Sequence, residues 1–418
     1  MPVSFRHGVG MDMSTVLASV LSAPTYYVDA TNGSDSNTGK SPGTAWKTLA
    51  KLTTESAAGT FKAGDYIAFK AGETWTNESF TFSQSGSPSA RIRFGVYGGT
   101  TRPVFDGNSL TARVADFYGE RYIRVEGLDI RNATQEGIRF GANSATAADI
   151  EFVDCVVDNC TSQNVQLEEN CVALVSGCTL SNSPDDGISY HSQTYTLNLV
   201  VENTIFDGNV QGFQEAAVGV TATFKGCTWI DNNQAITMSA SAQKTATVTA
   251  SMVRTTGVSG KENTFSGNID FDYCIFDYNG ATLSFDAIKA QSASVVMTAD
   301  NCVFYGGPGN GGTVWANVAG ATITARNCVF IDWGRFGWTT STNETSDYCM
   351  FDNVTQNNGT NTNVVTGPAN LNAPASDDFR PKTGSNCIDA GLNIGLTTDY
   401  AGLSVGDPPN IGAHEEIV

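Results

Sequence analysis

One short pattern recurs along this chain and limits what it can fold into. It is seen in 150-IEFVDCVVDN-159, 173-ALVSGCTLSN-182, 199-LVVENTIFDG-208, 222-ATFKGCTWID-231, 269-IDFDYCIFDY-278, 297-MTADNCVFYG-306 and 323-ITARNCVFID-332. Each has an alternating apolar stretch, two residues, Cys (once Thr204), one residue, and an apolar or aromatic side chain. Two looser copies centre on Leu128 and Cys349. Equivalent positions lie 21 to 28 residues apart, except for one step of 47 that spans two copies, with 248-VTASMVRTTG-257 the worn one. Period-two apolar alternation means strands. Strands repeating at this interval, with Gly and Asn between them and almost no helical periodicity, predict an all-β solenoid, the parallel β-helix. No single coil can bury its own apolar face, so neighbouring coils must stack.

Stacking predicts an inward ladder of Cys155, Cys178, Cys227, Cys274, Cys302, Cys328 and Cys349. A second column runs through Val157, Leu180, Phe206, Trp229, Phe276, Phe304, Phe330 and Phe351. Buried cysteine behaves as a small hydrophobe, and a regular ladder gives no reason to expect disulfides. The expected organisation is a leader or anchor peptide over 1–24, an entry segment with a helical cap over 25–63, coils over 64–365, and a closing segment over 366–418. In 43-GTAWKTLAKLTTE-55, Trp46, Leu49 and Ala50 share a helical face, which suits a cap over the first open edge.

Net charge is −19 and only 16% of residues are charged. That balance argues against nucleic acid or an anionic membrane surface as partner. No apolar run is long enough to insert in a membrane. An acidic polymer would be repelled unless a basic patch or a bound cation reverses the local field.

The chain resembles right-handed parallel β-helix proteins over most of its length. The opening 26-YYVDATNGSDSNTGKSPGTAWKTL-49 looks like the entry segment of that superfamily, and IDAG followed by NIGAHE looks like its closing segment. Such proteins include polysaccharide lyases and hydrolases, phage tail spikes and adhesins, so fold does not select a function.

Within the repeat, 182-NSPDDGISYH-191 opens a strand with two aspartates. The equivalent openings 136-EGIRF-140, 211-QGFQEA-216 and 234-QAITM-238 place Glu136, Asp185, Asp186 and Gln211 in one column. Arg139, Ser189, Gln214 and Thr237 fall in the next, with Glu215 and His191 at the margin. The stretch resembles the N-S-D-D-G-W-D-L motif of family nine pectate lyases. That resemblance implies a Ca2+ site on Asp185 and Asp186, with Glu136 as a further ligand from the coil before. Two departures weaken the implied lyase chemistry: Ser189 replaces the third aspartate, and Gln214 replaces the lysine base. Asp before Gly is also ordinary turn chemistry.

Other expectations remain open beside this one. Paired-carboxylate hydrolysis can use Asp186 with Glu215, or Asp207 with Asp231. Arg139 can clamp a sugar carboxylate, and Lys289 is a remote alternative base. Tyr190, His191, Gln214, Trp315 and Trp338 are candidate substrate contacts, with Tyr195 and Trp333 also expected outside the main core columns, since aromatic faces stack on sugars. The enzyme reading is a polysaccharide lyase or hydrolase centred on Asp185 and Asp186, with Glu136 and Glu215 assisting and Arg139 steering the substrate. The rival is a glycan-binding tail-spike subunit or adhesin, for which a homotrimer or a virion or surface assembly is expected. Either reading places the protein outside the cell or on a virion.

Overall fold

The computed structural model describes residues 23–418 except 143, 145, 240–243, 256–262, 280–285, 290–292, 307–312, 317–319, 337–342 and 357–359. It is a right-handed parallel β-solenoid. Three stacks of parallel strands run along it. One passes through Ile123–Glu126, Ala148–Val153 and Cys171–Ser176, and the second through Asp129–Arg131, Val156–Asp158 and Thr179–Ser181. The third passes through Ile138–Ala142, Gln163–Glu169 and the first parts of Asp186–Glu202 and Gln211–Lys225.

The turn between the first two stacks explains the repeat. Asp154, Gly177, Asn203, Gly226, Ala250, Tyr273, Asn301, Asn327 and Tyr348 all take positive φ there, which Gly and Asn tolerate best. The next residue is the ladder cysteine. Its thiol donates to the carbonyl two residues back, as from Cys155 to Val153 at 3.3 Å and from Cys302 to Asp300 at 3.3 Å. Thr204 and Ser251 make the same bond at 3.0 and 2.9 Å. The slot therefore favours a small side chain carrying one donor; Ser251 fills it in the worn coil, and Leu128, after Gly127, fills it in an early coil without one.

All ten cysteines are buried and free. Burial pushes the Cys171 and Cys227 thiols up to about 12, so these two hold little thiolate, and burial keeps reagent from all ten. We expect an aromatic disulfide reagent to label no cysteine in the native protein and all ten in denaturant. Added reductant should leave the melting temperature unchanged.

The aromatic column forms as expected. Phe206 stacks on Trp229 at 5.6 Å, and Phe276, Phe304, Phe330 and Phe351 stack at 4.3, 4.9 and 5.2 Å. Val253 of the worn coil joins the two runs. Each such ring pair contributes about 0.5–1.5 kcal/mol beyond its area burial.

The helix covers Leu49–Ala57, capped by the Thr48 hydroxyl, and buries Leu49, Leu52 and Ser56. Trp46 precedes it and bridges to Val28, while Ala50 faces solvent. The closing segment reaches back along the flank. Phe379, Cys387, Ile411 and Ala413 pack on Ile275, Val303, Val329 and Met350 of four successive coils, and Asp377 pairs with Arg254. Among the described residues no helix is long and apolar enough to cross a membrane.

Candidate functional site

The third strand stack carries the aspartate pair, and a buried asparagine ladder sets its entry corner. Asn209, Asn232 and Asn263 are wholly buried. Asn209 Nδ2 donates to Asn232 Oδ1, and Asn232 Nδ2 to Asn263 Oδ1, both at 3.0 Å. The same Oδ1 atoms accept the backbone N–H of the coil before. Ser183 occupies this slot one coil earlier, bonded to Asn209 Oδ1 at 3.0 Å. The glycines after the opening residues Asp186 and Gln211 follow from close approach. A Cβ on Gly187 would meet the Gly212 carbonyl oxygen at 2.7 Å, and one on Gly212 would meet that of Ala235 at 2.6 Å.

Beyond this corner the strands keep strict register. Gln163, Asp186, Gln211 and Gln234 form one row of partners, and Asp116, Arg139, Gln166, Ser189, Gln214 and Thr237 form another. The expected columns are thus present, with one correction. The coil of Gln163 and Gln166 lies between those of Glu136 and Asp186. Glu136 is two coils away, roughly 10 Å along the axis, not one. Its carboxylate pairs with Arg113 at 2.6 Å, so it is not placed to share a cation with Asp186.

Asp186 is 2% exposed. Burial, then the adjacent Asp185, push its carboxyl up to about 7, with Ser189 offsetting part of the rise. Its Oδ1 has no hydrogen-bond partner, nor have the buried Oε1 atoms of Gln163, Gln166 and Gln211. Asp185 is half-buried at the surface, where its Oδ2 accepts from Gln163 Nε2 at 3.1 Å. Ser189 Oγ lies 3.0 Å from His191 Nε2 and 3.3 Å from Gln214 Oε1. Gln166 Nε2 approaches His191 Nδ1 at 3.4 Å. His191 and Gln214 are partly exposed on this face.

Arg139 is bound at both ends of its fork by Asp116, at 3.0 and 2.7 Å, and lies over the Tyr118 ring at 4.7 Å. Its guanidinium is already occupied by a carboxylate. Two further expectations are corrected by strand parity. Tyr190 falls on the inward side with Ile188, is wholly buried, and its hydroxyl donates to Glu169 and Tyr195 carbonyls at 2.8 and 2.9 Å. It is core, not a sugar platform. Glu215 follows on the same side, 5% exposed, in an ion pair with Lys244 at 3.0 Å. It does not face a groove.

Trp333 is likewise internal, donating to the Phe304 carbonyl at 3.1 Å. Asp207 is in register with Ile230, so Asp231 sits one residue beyond it. Trp338 lies outside the described residues, as do the side chains of Trp315 and Lys289. Gln163 and Gln166 were missed because 160-CTSQNVQLEE-169 has Asn164 where Gly137, Gly187 and Gly212 mark three of the other openings. The spacing from Cys155 to Cys178 could have revealed that coil.

The model of the right handed beta helix region matches residues 65–205 and 105–251. A search of curated proteins by sequence finds no match. Among solved structures the chain is similar to pectate lyase Pel9A, at 16% identity and TM-score 0.54, over 95% of this chain and 97% of that one. It is similar to XylC, solved in complex with xylose, at 10% identity and TM-score 0.53, over 93% and 98%. It is also similar to the PL6 family polysaccharide lyase Pedsa3628 from Pseudopedobacter saltans, at 10% identity and TM-score 0.52, over 88% and 98%. Identities this low establish a shared fold.

Proposed function

We propose that this right-handed parallel β-helix protein acts on polysaccharide along its third strand stack and hydrolyses it, with Asp186 as proton donor. The observation that carries this reading is a buried carboxyl that keeps its proton to about pH 7 beside a second, half-exposed one. A general acid must be protonated at working pH, and two carboxyls held in unlike environments can divide the acid and base roles. Asp186 would protonate the glycosidic oxygen as the C–O bond breaks. Asp185 would take a proton from the attacking water. The polysaccharide lyases among the structural neighbours agree with a glycan substrate. Such a substrate puts the work at a cell surface, in the medium, or on a virion.

A second reading rests on the unpartnered oxygens. Asp185, Asp186 and the Oε1 atoms of Gln163 and Gln211 form an oxygen-only donor set, which suits Ca2+. Among the described residues no cluster of three His, Cys, Asp or Glu is placed to hold a metal, so amide oxygens would have to complete the shell. When bound, the ion would supply positive charge for sugar oxygens.

The test is digestion of a polysaccharide panel with and without chelator, following reducing ends and the absorbance of unsaturated products. Hydrolysis predicts reducing ends without unsaturation, and a fall of about 10²–10⁴ in turnover for Asp186→Asn. Unsaturated products lost on chelation would instead establish a cation-assisted lyase. Binding without cleavage would leave a glycan-binding spike subunit or adhesin.

A further inference from the structure

We infer that the glycan this face accepts is uncharged, an inference that rests on the polysaccharide reading above and narrows it. The first ground is what the face offers. Around Asp186 the surface is built from amides and hydroxyls: Gln211, Gln214, Gln234 and Thr237 are all partly exposed in the rows next to it. Amides both donate to and accept from sugar hydroxyls.

The second ground is what the ligand must bring. The side-chain oxygens of Gln163, Gln166 and Gln211 that lack partners are all acceptors. The Gln163 amide is oriented by its bond to Asp185, so its oxygen is the atom left over. These oxygens are buried in the free protein, and a sugar hydroxyl that reached them after a side-chain rotation would supply the donor they lack. A uronate carboxylate supplies none, because an ionised carboxylate only accepts.

The third ground is charge. A uronate needs an available cation, and among the described side chains the Arg and Lys groups next to the Asp186 and Gln214 rows are already matched. Arg113 pairs with Glu136 at 2.6 Å, Arg139 with Asp116 at 2.7 Å, and Lys244 with Glu215 at 3.0 Å. Opening one of these pairs for a sugar carboxylate would strand a partly buried acid. The net charge of −19 adds a repulsion that a neutral chain does not meet.

Binding separates this inference from its premise. Calorimetry or affinity electrophoresis would compare uncharged polymers (mixed-linkage β-glucan, galactomannan, xylan) with polygalacturonate and alginate, in chelator and in calcium. The expected result is an uncharged polymer bound at least about tenfold more tightly than either uronate in both conditions, a difference of about 1.4 kcal/mol. Gln214→Lys, which adds a cation to the row, should narrow that preference about tenfold or more. A wild-type protein that binds a uronate as tightly, with or without calcium, overturns the inference and leaves the polysaccharide reading standing. Binding to no polymer of either class overturns the polysaccharide reading itself, and this inference with it.

Discussion

Asp186→Asn should melt at a higher temperature than the wild type at pH 8 and at the same temperature below pH 4. The carboxyl of Asp186 is raised from 3.8 to about 7 in the folded state. Below the unfolded value both states hold the proton and the group contributes nothing to pH dependence. As pH climbs through the window between the two values, the unfolded chain releases its proton while the folded chain retains it, and stability falls. Above about 7 the loss is complete. A rise of about three units corresponds to at most about 4 kcal/mol. Asparagine removes the buried charge and brings an amide donor for the neighbouring Gln163 or Gln211 oxygen. Chemical denaturation at pH 4 and pH 8 measures this directly. Millimolar calcium divides the two proposed chemistries: if the ion is held here, it stabilises the wild type at pH 8 and leaves Asp186→Asn unaffected. A variant less stable than the wild type at pH 8 without added calcium would mean that ionised Asp186 is well solvated, and the proton-donor role would fall with that.

The coil period was legible because its physical causes repeat. A left-handed turn residue, a small donor-bearing side chain and an inward apolar or aromatic side chain return in most coils, and each leaves a residue type in the sequence. The site was legible only in part. Strand register set the rows containing Asp186 and Gln214 once the coils were counted correctly. The coil of Gln163 was overlooked because Asn164 stands where Gly137, Gly187 and Gly212 follow other opening residues, and so Glu136 was brought one coil too close. The asparagine ladder hid for a different reason. A single Asn per coil reads as turn chemistry, and nothing local distinguishes a solvated turn from a buried column of amides. The inward sides of Tyr190 and Glu215 follow from strand parity. Tyr190 and Glu215 are in register with each other and share the parity of Ile188 and Phe213, which are wholly buried. The apolar residues of the closing segment match a flank that Ile275, Val303 and Val329 leave uncovered, a surface that appears only after the coils stack.

Glu215 offers the sharpest test of buried charge in this molecule. Its two oxygens accept from Lys244 Nζ at 3.0 Å, the Ser239 N–H and hydroxyl at 2.7 and 2.9 Å, and the Ala217 N–H at 3.0 Å. The partners are 5% and 8% exposed. Removing one member of such a pair strands the other in a poor solvent, so Glu215→Ala should cost about 3–5 kcal/mol. The midpoint of urea unfolding would report that loss. Replacing both, as Glu215→Leu with Lys244→Met, exchanges the pair for apolar side chains of similar bulk. This double variant should recover most of the stability, because the desolvation cost of both charges disappears with their attraction. The double variant also decides a functional matter. Glu215 was a candidate catalytic acid by spacing alone, yet the ion pair holds it inside the corner, away from the row of Asp186. A folded double variant should therefore cleave polysaccharide within a few-fold of the wild type. A folded double variant that binds glycan normally but has lost cleavage would return Glu215 to the reaction, and would require the Lys244 pair to open when substrate binds.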